Sequence, residues 1–112
     1  MLDLQEEKKL VLNYFNDLDN AENDELVEII SKYTSDNFHM RCTHPFNEIK
    51  GAENVAKNLW EPIKKSFNPV QRRMDIFYAG VNSHDENQGR WVSSMGHLMG
   101  IFKKDFFGLR PN

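Results

Sequence analysis

The last third of the chain, Gly89 to Asn112, reads GRWVSSMGHLMGIFKKDFFGLRPN and constrains the fold more than any other stretch. With the two-residue period of a strand, Trp91, Ser93, Met95, His97, Met99 and Ile101 fall on one face, and Val92, Ser94, Gly96, Leu98 and Gly100 on the other. One histidine thus stands in a mostly apolar row. If that row faces a closed core, His97 is a buried polar group that needs a hydrogen-bond partner. If it faces a cavity, it is the acid, base or ligand-orienting group of the chain. Everything before this strand reads as the wall of that core or cavity.

The wall begins with helices. Leu4, Val11, Tyr14, Phe15 and Leu18 recur at helical spacing, with Glu6, Glu7, Lys8 and Lys9 on the wet side. Residues 19–24, DNAEND, then supply stop and restart chemistry, and a shorter second helix carries Leu26, Ile29, Ile30 and Tyr33 as its buried stripe. Between Ser35 and Thr43 the period drops to two, placing Phe38, Met40 and Cys42 opposite His39, Arg41 and Thr43. Pro45 ends that strand, and Asn47 to Lys50 offers a short second one before Gly51.

A third helix is predicted from about Ala52 to Phe67, along Val55, Ala56, Leu59, Trp60, Ile63 and Phe67. Pro62 lies inside it and predicts a kink over Asn58 to Pro62. A long strand, Val70 to Val81, then sets Arg72, Met74, Ile76 and Tyr78 opposite Arg73, Asp75, Phe77 and Ala79. A polar loop, residues 82–89, returns the chain to the strand first described. The order helix, helix, strand, short strand, helix, long strand, long strand predicts one α+β domain with helices on one face of a curved sheet.

Composition narrows the function classes. The 14 basic and 17 acidic residues among 112 give a net charge of −3, no footprint for nucleic acid. The single cysteine, Cys42, permits no intramolecular disulfide and fits a reducing, cytoplasmic setting. The charged N-terminal stretch lacks the basic-then-apolar order of a signal peptide, and no apolar run approaches a membrane span. The four histidines have neither the spacing nor the shared element of a metal set, so no metal is expected.

Several short motifs then fall in a telling order. They are His44-Pro45-Phe46, Ile49-Lys50-Gly51, Leu59-Trp60-Glu61-Pro62-Ile63, Arg90-Trp91-Val92, Gly96-His97 with Gly100, and Phe107-Gly108-Leu109-Arg110-Pro111. Over Leu10 to Pro111 the chain resembles the SnoaL-like polyketide cyclase group of the nuclear-transport-factor-two-like superfamily. The resemblance implies a cystatin-like, cone-shaped antiparallel sheet wrapped around helices, with a deep apolar pocket and dimerisation through the sheet. It further implies a proton-transfer enzyme of cyclase or isomerase type, working without cofactor on a small apolar carbonyl compound. His97 matches the strand histidine of that family.

The acidic partner in such relatives lies on strands that follow the closing turn, beyond Asn112. Residues 1–112 are therefore expected to be a single SnoaL-like domain, incomplete at its C-terminus. A fragment is favoured over a chain completed by a second copy or a rearranged fold. Tyr14, Phe38, Phe46, Trp60 and Trp91 suit either the walls of a pocket for a flat apolar ligand or ordinary core packing. His44, Met95 and Met99 join the expected ligand-binding set, and Ser93 is the nearest oxyanion stabiliser to His97. The alternative is a non-catalytic domain of the same fold that binds a small hydrophobic molecule or a protein.

Overall fold

The helical stripes and the short strand pair converge on one small core. The computed structural model describes residues 4–84, 86 and 89–111. Helix α1 spans Gln5–Asn20 and α2 spans Leu26–Tyr33, joined through a 3-10 turn, Asn23–Glu25. The Glu22 amide there donates to Glu25 Oε1 at 3.0 Å, which satisfies a donor that the turn leaves free. Leu18 of α1 and Leu26 and Ile30 of α2 are fully buried, as the helical spacing of these residues demands.

Strands β1, His39–Arg41, and β2, Glu48–Lys50, pair antiparallel with Met40 opposite Ile49. Ile49 closes the core beneath them. Gly51 then adopts φ +84°, a conformation that a Cβ disfavours, and turns the chain into the third helix. That helix has three parts: α3, Ala52–Val55, a π-helical turn, Ala56–Trp60, and α4, Glu61–Ser66. The disruption expected around Pro62 is a widened turn, in which the Glu61 amide reaches back to the Ala56 carbonyl. Pro62 then sits in the first turn of α4, where a missing N–H costs little. Val55, Ala56 and Leu59 complete the core.

The two long strands follow, β3, Phe67–Val81, and β4, Arg90–Phe102, paired antiparallel along their length. The fold is thus α+β with two separate two-stranded sheets, β1-β2 and β3-β4, where the sequence predicted one curved sheet. The strand predicted for Ser35 to Thr43 is only three residues long, and three turn residues, 43–45, follow soon after it. The β3-β4 ribbon extends beyond the core, so the molecule measures 51 × 28 × 25 Å. Its radius of gyration is 15.5 Å, against roughly 13 Å for a compact domain of this length. Among the described residues no helix is long and apolar enough to cross a membrane.

The ribbon's register has a defect that the sequence pattern did not anticipate. From Val81↔Arg90 to Ile76↔Met95 the pairing is regular, but the next pair is Met74↔Gly96, leaving Asp75 as an extra residue on β3. A one-residue bulge exchanges the two faces of the strand beyond it. Ile76 and Tyr78 therefore share a face with Arg73 and His97, whereas Phe77 shares one with Arg72 and Met74. The predicted alternation through Arg73, Asp75 and Phe77 is broken at Asp75.

Gly96 makes the bulge possible. A Cβ there would lie 2.0 Å from the Arg73 carbonyl oxygen, a backbone atom that cannot move aside alone. Gly96→Ala is expected to lower the unfolding free energy by about 1–3 kcal/mol in a urea titration. At Gly80 the added methyl would meet nothing within 4 Å, so Gly80→Ala is the matched control and should change stability little.

Candidate functional site

Two arginines next to each other on β3 point to opposite faces and define the ribbon's two environments. Arg72 faces the helices. Its Nε and Nη2 donate to the Asp19 carboxylate at 2.8 and 2.9 Å, and its guanidinium lies 4.3 Å from the Phe15 ring centroid and 5.5 Å from that of Trp60. A planar guanidinium can satisfy a carboxylate bidentately while stacking on aromatic rings, so one side chain ties β3 to α1 and to the π-turn. Farther along, Arg90 Nη1 pairs with Glu7 Oε1 and Lys8 lies over Phe77. The Arg90 hydrogen bond holds the Glu7 carboxyl below its ordinary value.

The face carrying Val92, Ser94, Leu98 and Gly100 is consequently the helix side. The row Trp91, Ser93, Met95, His97, Met99 and Ile101 points outward, which corrects the expectation that it lines a core or an enclosed hollow. The His97 side chain is 60% exposed.

Arg73 lies directly across from His97 on this outer face, and the bulge brings Asp75 to them both. The Asp75 carboxylate accepts from Arg73 Nε at 3.1 Å and Nη2 at 3.4 Å, and its Oδ2 is 3.2 Å from His97 Nδ1. Arg73 Nη2 is also 2.9 Å from that same ring nitrogen. One nitrogen faces both a donor and an acceptor, so its partner follows its protonation. Unprotonated, Nδ1 accepts from Arg73; protonated, it donates to Asp75. Nε2 is left out of both contacts. Such a group can orient a ligand or pass a proton between Nε2 and a molecule above the sheet.

An acidic neighbour for His97 is thus present within residues 1–112, whereas the sequence reading placed it beyond Asn112. Asp75 was read only as a strand carboxylate that an exposed position would explain. Its proximity depends on the bulge, for which Gly96 inside the strand is the one sequence signal.

The expected ligand-binding residues lie in separate places. Trp91, Ser93, Met95 and Met99 share the outer face with His97. Tyr14 and Trp60 lie on the helix side with Arg72. Burial pushes the Tyr14 hydroxyl above its ordinary value of 10 while the nearby Arg72 charge opposes the shift, so it stays protonated at neutral pH. Phe38 packs against the core beside β1, and His44 is exposed in the β1-β2 turn. Phe46 packs edge-on against Phe107, with Phe106 beside it.

No single hollow gathers these residues. A cavity of about 240 Å³ near Asp19 and Lys64 takes Trp60, and one of about 460 Å³ over β2 takes Phe46. A third, of about 520 Å³, lies at the base of the ribbon between Ile63, Phe67, Val70, Leu98, Met99 and Phe106. His97 lines none of the three. The physical reason is the two-stranded ribbon, whose outer face has no opposing wall among the described residues.

Because the Arg72 clamp decides which face meets the helices, Arg72→Lys is expected to destabilise the fold by about 1 kcal/mol in chemical denaturation. An ammonium replaces the bidentate fork there and stacks less well, while the outer cluster is untouched. Compared with known proteins, the chain matches no family model, no curated protein and no solved structure, so the site is read from its own geometry.

Proposed function

We propose that this chain is a SnoaL-like domain with an open cone, and that it acts as a protein-interaction domain through the outer face of its long ribbon. The observation carrying this reading is the contiguity of exposed apolar side chains there. Trp91 is 61%, Met95 66% and Ile101 54% exposed, and Ile76 and Tyr78 lie beside them. Isolated exposed apolar residues are ordinary on soluble proteins, but a continuous row along a strand pair marks a surface that another molecule covers. The order of helices and strands supports the family assignment.

A photo-crosslinking residue placed at Met95 in cells is expected to form a discrete protein adduct. The same residue at Glu53, on the far side of the molecule in α3, should form none. Equal labelling at the two positions, or no adduct at Met95, would remove this reading.

The Asp75–His97 contact favours a second reading, a cofactor-independent proton-transfer enzyme acting on a small apolar carbonyl compound. His97 would exchange a proton at Nε2 while Asp75 and Arg73 hold the ring. A positioned imidazole of this kind is worth about 10²- to 10⁴-fold in rate. Exchange of α-protons of simple apolar ketones in D2O, followed by NMR, should then be accelerated by the wild-type chain and fall by about 10²-fold in His97→Ala. A wild-type rate equal to that of buffer would sink the enzymatic reading.

A further inference from the structure

We infer that two copies of this chain associate by antiparallel pairing of their β4 edges about a two-fold axis at Gly96. The inference rests on the proposed role of the ribbon as an association surface and names the partner as a second copy. The ribbon's two edges differ in character. Along β3 the free edge carries Pro69, Arg72, Arg73 and the Asp75 bulge, features that discourage strand addition. Along β4, from Trp91 to Phe102, there is no proline, acid, lysine or arginine, and β3 is the strand's only sheet neighbour among the described residues. A long, uncharged, unpaired edge is a template for another strand.

The register that pairs all of Arg90–Phe102 with itself has its axis at Gly96, and it is chemically self-consistent. Arg90 meets Phe102, Trp91 meets Ile101, Ser93 meets Met99 and Met95 meets His97. Neither Arg90 nor His97 meets its own counterpart, so no like charges oppose one another. Each pair joins residues of the same face. The helices of both copies therefore lie on one side of a β3-β4-β4-β3 sheet, and both outer apolar rows lie on the other. A two-stranded ribbon is marginal alone, whereas four strands with an apolar face form a stable unit. The paired edge is about 40 Å long.

The test uses a Cys42→Ser background to leave only designed thiols. Ser93→Cys with Met99→Cys places thiols opposite each other across the interface, within reach of a disulfide. Ser93→Cys with Met95→Cys does not. Sedimentation velocity should show a concentration-dependent dimer for the wild type, and mild oxidation should give a covalent dimer with the first pair alone. A Ser94→Asp variant, with an acid on the free edge, should weaken dimerisation at least tenfold while its circular dichroism stays that of the folded chain. A monomer at every concentration, or a dimer whose first thiol pair fails to link, overturns the inference. If the Met95 photo-adduct in cells persists while the chain alone is monomeric, the interaction reading stands and the second copy is the wrong partner. Loss of both removes the reading and the inference together.

Discussion

The ion pair between Arg72 and Asp19 decides what every other residue of the ribbon faces. A strand pair can lie on a helical layer by either face, and the apolar content of β3 and β4 does not choose. Met74 and Leu98 on one side and Ile76 and Met95 on the other are comparably hydrophobic. The chosen side is the one on which a guanidinium finds a carboxylate at the end of α1 and the rings of Phe15 and Trp60 at once. Arg90 and Glu7 repeat the arrangement near the other end of α1. Exposed ion pairs contribute little individually, but a bidentate, stacked one selects an orientation because the alternative face offers it nothing equivalent. That choice turns His97 outward.

The second constraint is the extra residue at Asp75. With regular pairing continued from the hairpin, His97 would stand opposite Met74, and Arg73 and Asp75 would lie on the other side of the strand from it. The bulge shifts the register by one and brings three polar side chains together on an otherwise apolar face. Gly96 sits at the point of closest approach, where a side chain would collide with the Arg73 carbonyl. One glycine thus links backbone geometry to the chemistry that the face can offer.

Much of this molecule was legible in its residues. The stripes through Leu18, Leu26, Ile30, Val55 and Leu59 identified the helices and the core because helical burial repeats at a fixed angle. Period-two runs located both long strands, and Pro62 marked the irregular turn beside it. The orientation of the ribbon was not legible, because alternation tells which residues share a face but not which face is covered. The bulge was not legible because a single inserted residue leaves both flanking patterns intact. The family resemblance led the reading toward an enclosed His97 and a missing acid. The geometry instead gives an exposed His97 with an acid beside it.

Exposure also bears on which proposed function the Arg73, Asp75 and His97 group can serve. In open water these charges are screened, and an imidazole beside them gains little power to move a proton. Covering the outer face would exclude water from the same three side chains, strengthening the field of Asp75 and Arg73 on the ring without moving an atom. Edge pairing alone would not do this, since it extends the sheet sideways and leaves the outer row wet. A proton-transfer role therefore requires a molecule stacked on the face, whereas an interaction role requires only that the edge or the face be met. The less demanding requirement is the one that the ribbon, as folded, already fulfils.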